Sequence, residues 1–258
     1  MRYYEIVCLF EGVSIRISEM ELCVDLDRIT PQDVITNDEE LRIAQKKGAY
    51  FYLSGGGTII FDNRYMPVVK RSAAAKINPG KYSLFTGRAE GIEEWKNPVS
   101  VVRELFEELH IYKDTKLLIP ECTGFKQIID IAYNGKEKSD NYLKLKYIPL
   151  KNKQIKVQYQ GKESVTDGLV HIGENGDINL LFVFSAEIAP DGLEMCDGET
   201  AENGGGREIF LLDITTCELK KMSGAERGEM LGICRKEQMT PHLSALVDTV
   251  KNFHKANT

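Results

Sequence analysis

The stretch Gly87–Ile111, GRAEGIEEWKNPVSVVRELFEELHI, decides how this chain is read. Its core, Arg103-Glu104-Leu105-Phe106-Glu107-Glu108, spaces three carboxylates at i, i+3 and i+4, and on a helix such positions share a face. With about 100° between successive residues, Glu104, Glu107 and Glu108 fall within one arc, while Val99, Val102, Leu105, Phe106 and Leu109 point the other way, toward a core. Asn97 suits the cap of this helix, and Pro98 suits its first position, where a missing N–H costs nothing. Three like charges so close repel, each pair costing a few tenths of a kcal/mol in an isolated helix, so a compensating cation is expected. A hard divalent ion, Mg²⁺ or Mn²⁺, would serve: it takes one or two carboxylates, keeps several waters and binds the phosphate oxygens of a substrate. The bland alternative for an isolated string of this kind is a solvated acidic face.

The wider pattern resembles the box of the Nudix hydrolases, G-x5-E-x7-R-E-U-x-E-E-x-G-U with U a bulky aliphatic residue. Gly87-x5-Glu93 is followed, after nine residues rather than seven, by Arg103-Glu104-Leu105-x-Glu107-Glu108-x-His110-Ile111. Two departures stand out. The loop Glu94 to Pro98 is lengthened by two residues, which costs little closure entropy in a surface turn; strict spacing would instead put Ala89 and Trp95 in the Gly and Glu places. His110 stands where the family has a glycine, so an exit from the helix other than a left-handed turn is expected.

The resemblance continues upstream in GGTIIFDNRYMPVVKRSAAAKINPGKYSLFTG, where Gly57 to Phe61 and Met66 to Lys70 read as strands about an Asp62-Asn63 turn. Downstream, Ile178 to Ile188 and Glu208 to Ile214 read as buried strands. Thr240-Pro241 opens a helix carrying Leu243, Leu246, Val247, Val250 and Phe253 at helical spacing. The fold that this implies is α+β: a Nudix-type α/β/α sandwich with a mixed sheet over residues 50–258, plus a small N-terminal β-rich addition over residues 1–49. In that addition Tyr3 to Phe10, Val13 to Ser18 and Met20 to Leu26 alternate as strands, and Thr36-x-x-Glu39 starts a short helix. Three short strands are marginal alone, and some family members dimerise through such a sheet, which implies a homodimer through residues 1–49.

A lysine-rich insertion spans residues 130–177. There Tyr142 to Leu150 and Gln154 to Gln160 read as a hairpin around Lys151-Asn152-Lys153, either a solvated face or a lid offering Tyr142, Tyr147 or Tyr159 to a base. The acidic, glycine-rich loop Ala189 to Arg207 supplies Glu199 and Glu202, with Glu208 just beyond, as carboxylates that could serve as general base; Glu202 ranks first because the glycines after it let the loop fold over a site. Lys70, Arg71, Lys81 and Arg88 flank the box and are candidates for phosphate contact.

The net charge of −6 argues against general nucleic-acid binding, which gains from a basic surface, but not against a small anionic substrate held by metal and local cations. No apolar run approaches a membrane span, the start MRYYEIVCLFEG has no signal-peptide pattern, and a cytoplasmic protein is expected. Six cysteines without a C-x-x-C pair read as free thiols. What the resemblance implies for activity is a Mg²⁺-dependent hydrolase of a nucleoside diphosphate linked to another group, releasing a nucleoside monophosphate or phosphate. Glu104, Glu107 and Glu108 would hold the metal, Arg103 would orient Glu93 or Glu90, and Glu202 would be the loop carboxylate. Two other classes fit the same residues: a binding module that has lost turnover, and a diphosphate isomerase.

Overall fold

A computed structural model describes residues 4–7, 14–17, 21–26, 52–75, 78–88, 97–133, 139–172, 177–195, 208–222 and 227–257. The expected domain boundary near residue 49 and the helix after Thr36 lie outside these residues. The chain divides into two compact units, each assembled from separate segments: residues 1–55, 87–101 and 149–182 in one, and 56–86, 102–148 and 183–258 in the other.

The first unit is a mixed sheet. Strands β1 (Tyr4–Val7), β2 (Ser14–Ile17) and β3 (Glu21–Asp25) form the expected antiparallel meander. Strand β3 then pairs in parallel with β12 (Lys153–Tyr159), which turns back into β13 (Lys162–Ile172), and β13 pairs with the first part of β14 (Asp177–Ala186). The insertion therefore extends the N-terminal sheet, with Leu22, Ile155 and Val157 buried. Its hairpin is not the one expected around Lys151-Asn152-Lys153. The turn is Gln160-Gly161, whose φ values of 50° and 69° match the right-handed twist of the flanking strands. Lysines on this sheet are partnered by acids, Lys156 with Glu21 at 2.7 Å and Lys151 with Asp167 at 3.0 Å. Buried Ser54 donates to the buried Asn179 side chain at 2.7 Å.

The second unit carries β4 (Tyr52–Phe61, from Gly56 on), β5 (Tyr65–Lys70), β6 (Tyr82–Ser83), β7 (Phe85–Arg88), β11 (Lys146–Ile148), β16 (Glu208–Asp213), β17 (Glu218–Lys221) and β18 (Met230–Ile233), along with the end of β14. Asp62 and Asn63, at φ 49° and 52°, make the tight turn expected between β4 and β5, where Phe61 faces Tyr65. At Gly56 a side chain has no room: an added Cβ would lie 1.9 Å from the Phe85 carbonyl oxygen. A smaller sheet in this unit runs β10 (Tyr142–Lys144), β9 (Lys116–Glu121), β8 (Leu109–Lys113), β15 (Gly192–Met195). Tyr142 and Tyr147, expected in one arm of the lysine hairpin, thus sit in strands paired with β9 and with β14.

The expected α/β/α sandwich is not what this chain builds. The described residues form eighteen strands and three α-helices, and two of the helices, α1 (Arg103–Glu108) and α2 (Lys126–Ala132), have only six and seven residues. Elements of two turns cannot cover both faces of a sheet, so the fold is mostly β. Only α3 (Pro241–Asn257) is long; Leu243, Leu246, Val247 and Val250 are buried as their spacing predicts, while Phe253 remains 39% exposed. The Thr240 N–H donates to the Tyr82 carbonyl at 2.8 Å, which ties the start of α3 to β6.

An ion pair between the exposed Arg64 and the buried Asp213 closes the β5 and β16 ends of this unit. Asp213 accepts from the Arg64 Nε at 2.6 Å and from the Thr215 and Thr216 N–H groups at 2.8 and 3.1 Å. Burial alone pushes its carboxyl up, but the two backbone donors and the guanidinium outweigh this and hold it below the usual range. Because the folded state lowers this pKa, the stabilisation is present above the unfolded carboxylate value of about 3.9 and is lost as pH falls through the folded value. Asp213→Ala should cost about 3 kcal/mol at neutral pH, measured by urea unfolding, and the gap from the unsubstituted protein should narrow below about pH 4. An equal gap at neutral and acid pH would contradict this.

Candidate functional site

The box helix forms, in two parts. Pro98–Val102 is a 3₁₀ turn, with Ser100 bonding the Asn97 carbonyl through both its N–H and its hydroxyl, and α1 follows directly. The tighter 3₁₀ winding changes the phase of the apolar positions. Val101 and Val102 are buried, while Val99, expected to face inward, is half-exposed and lines an open cavity of about 410 Å³ with Asn97, Ile155, Val157, Ser164, Val165 and Thr166. From there on the expected faces hold. Leu105, Phe106 and Leu109 are buried, and Arg103, Glu104, Glu107 and Glu108 lie at the partly exposed surface.

Aromatic packing fixes that orientation. The Phe106 ring lies 5.5 Å from Phe184, and Phe184 in turn meets Phe125 at 5.0 Å and Tyr147 at 5.8 Å. Phe184 belongs to β14 and Phe125 immediately precedes α2, so a strand and a second helix clamp the apolar face of α1. Tyr147, one of the tyrosines considered for contact with a base, is engaged in this cluster instead.

His110 does not need the left-handed exit that a glycine would provide. Leu109 is already extended, at φ −113° and ψ 116°, and the helix passes straight into β8. His110 then packs its ring near Tyr112 and Tyr133, at 6.4 and 6.1 Å.

The acidic face has its own cation. The Arg103 guanidinium donates to Glu107, one helical turn on, and reaches Glu104 at 3.5 Å. All three side chains are partly buried, with 21%, 32% and 17% exposure for Arg103, Glu107 and Glu104. The repulsion among the three glutamates is thus offset in part by the arginine that precedes them, an i, i+4 pairing the sequence already contains. Glu90 and Glu93, the partners expected for Arg103, lie outside the described residues.

Other expected site residues are placed elsewhere or not described. Lys70 ends β5, is exposed, and sits over the Tyr82 ring at 5.9 Å; Arg71 follows it, half-buried, and its N–H donates to the Lys81 carbonyl at 2.9 Å. Lys70 also lies opposite Glu208, whose carboxylate is paired with Lys221 at 2.5 Å, so Glu208 is held within a sheet rather than on a mobile loop. Glu199, Glu202 and the side chain of Arg88 lie outside the described residues.

The donor chemistry of the acidic face, oxygen ligands only, fits a hard divalent cation. Among the described residues no three acidic, histidine or cysteine side chains converge into a ready metal cage. Mg²⁺ requires less than that, one or two carboxylates with water and substrate oxygens completing the shell. Among the described residues, no helix is long and apolar enough to cross a membrane. No protein-family profile and no curated protein matches the chain.

Arg103 is therefore the cation that offsets the charge of Glu104 and Glu107 on this helix. Arg103→Met should lower the unfolding midpoint at low salt by the equivalent of about 0.5–1 kcal/mol, and added salt should shrink the loss by screening the uncompensated carboxylates. A midpoint unchanged at low salt would show that the glutamates are held by other partners.

Proposed function

We propose that this protein is a Mg²⁺- or Mn²⁺-dependent hydrolase of a nucleoside diphosphate linked to a second group, yielding a nucleoside monophosphate or phosphate. The single observation that supports the reading is the surface of α1, where Glu104 and Glu107 gather around Arg103 on a helix locked by the burial of Leu105 and Phe106. A rigid element presenting several carboxylates is suited to positioning a metal ion against phosphate oxygens.

In this reading Glu104, Glu107 and Glu108 would hold the ion, which when bound supplies electrostatic stabilisation of phosphate charge and an activated water. Arg103 has two roles available: it neutralises Glu107 and Glu104 before the ion arrives, and its guanidinium, once displaced, can donate to a phosphate oxygen. The carboxylate that accepts the proton of the attacking water is assigned to Glu202 as an expectation from its loop. Lys70 and Arg71 would bind phosphate only if the substrate reaches the end of β5. Self-association through the N-terminal strands belongs to the same reading.

One observation favours a second reading, a nucleotide-binding module without turnover. Arg103 already occupies two of the carboxylates, and a permanent ion pair there would satisfy the face with no metal at all.

The experiment is a screen of ADP-ribose, dinucleoside polyphosphates and nucleotide sugars with Mg²⁺ or Mn²⁺, following nucleoside monophosphate and phosphate release. With the active substrate, Glu107→Gln and Glu108→Gln should each lower turnover at least about a hundredfold while leaving the circular dichroism spectrum unchanged. Wild-type turnover in both variants would overturn the metal assignment, and binding of these compounds without any product would favour the second reading.

A further inference from the structure

The hairpin β17–β18 and helix α3 bring together two thiols and an ammonium that the proposed hydrolase does not use. Glu218 lies opposite Ile233 in the β17–β18 register, which places Cys217 across from Cys234, and the Cys234 N–H donates to the Cys217 carbonyl at 2.7 Å. That one bond sets the two residues side by side at the end of the hairpin, while the Cys217 N–H turns to the Asp213 carbonyl at 2.8 Å; ordinary strand neighbours have Cα atoms about 5.5 Å apart, inside the range of about 4.4–6.8 Å that a disulfide spans. Both are free thiols. From α3, the Lys251 ammonium donates to the Cys217 sulfur at 3.1 Å.

The two thiols are unequal. Cys217 is partly exposed, and its sulfur accepts a hydrogen bond from the Lys251 ammonium, the kind of neighbour found beside nucleophilic thiols. It also holds a left-handed backbone, φ 62°, that a non-glycine residue adopts at a cost. Cys234 is 3% exposed, and burial, followed by the nearby Cys217, pushes its thiol up to about 11. An attacking thiol and a protonated resolving thiol are thereby distinguished by their surroundings.

The geometry points to Cys217 and Cys234 as a peroxide-responsive dithiol, with Cys217 the attacking sulfur, Lys251 its activating cation and Cys234 the resolving partner. The Cys217 thiolate attacks hydrogen peroxide: an S–O bond forms, the O–O bond breaks, and the departing hydroxide takes a proton from solvent to leave as water. Cys234 then attacks the sulfenic sulfur, forming the S–S bond and breaking the S–O bond, and its proton leaves with the hydroxide as a second water. Two thiols and one peroxide become one disulfide and two waters. Oxidation also converts the sulfur that Lys251 contacts, so the tie between α3 and the hairpin changes with redox state.

The test treats the full-length protein with hydrogen peroxide, blocks remaining thiols with iodoacetamide and maps tryptic peptides by mass. Cys217 and Cys234 fall on different peptides, Glu208–Lys220 and Gly228–Arg235. The expected product joins these two with the loss of two hydrogens and is reversed by dithiothreitol. In Cys234→Ser the cross-link is absent and Cys217 instead takes a dimedone adduct at its sulfenic acid. Lys251→Met should slow cross-linking at neutral pH at least about fivefold, and Lys251→Arg should preserve most of the rate. Full alkylation of both cysteines after peroxide would overturn the proposal, and so would cross-linking as fast in Lys251→Met as in the unsubstituted protein.

Discussion

The burial of Phe106 against Phe184, itself packed on Phe125, is the interaction on which the rest of the site depends. A helix of six residues has little stability of its own, because nucleation costs as much as so few hydrogen bonds return. Tertiary packing must hold it, and the aromatic cluster does so from two sides. Once Leu105 and Phe106 are inside, the helical period leaves Glu104, Glu107 and Glu108 no place but the surface. The acidic face is thus a consequence of the apolar one. Its charge is tolerated because Arg103 lies one turn from Glu107 and beside Glu104.

A similar economy governs the rest of the second unit. Asp213 is matched by Arg64 and two N–H groups, and His242 by the Ser83 and Thr240 hydroxyls at 3.1 Å. The Arg64–Asp213 and Ser83–His242 links join segments far apart in the chain. The Ser83, Thr240 and His242 cluster is buried, and its hydrogen bonds lock α3 onto β6. Cys217, Cys234 and Lys251 differ in this respect, since Cys217 is partly open to solvent.

Local signals in the sequence were legible where one short pattern settles one element. Asp62-Asn63 between two apolar runs specifies a tight turn, and both residues take the positive φ it needs. The stripe Leu243, Leu246, Val247, Val250 specifies the buried face of α3. The hairpin of the insertion was misplaced because Gln160 is not a turn-forming type and only Gly161 marks the position, while Lys151-Asn152-Lys153 offers a more polar break. The mostly β architecture was not legible from the box, whose resemblance implied a sandwich, since the box specifies one short helix and says nothing of how many helices cover a sheet. Long-range pairing, such as β3 running parallel to β12 across more than a hundred residues of chain, leaves no local trace. At the site itself, the Arg103–Glu107 pair was available from i, i+4 spacing, yet the resemblance directed Arg103 toward the preceding loop instead.

The central claim is that the acidic face of α1 binds a divalent ion, and direct titration with Mn²⁺ tests it without any substrate. Electron paramagnetic resonance reads the free ion. The account predicts that the full-length protein depletes the free Mn²⁺ signal, and that a Glu104→Gln, Glu107→Gln, Glu108→Gln triple variant with an unchanged circular dichroism spectrum does not. An undiminished signal with the unsubstituted protein, or equal depletion by the triple variant, would contradict it.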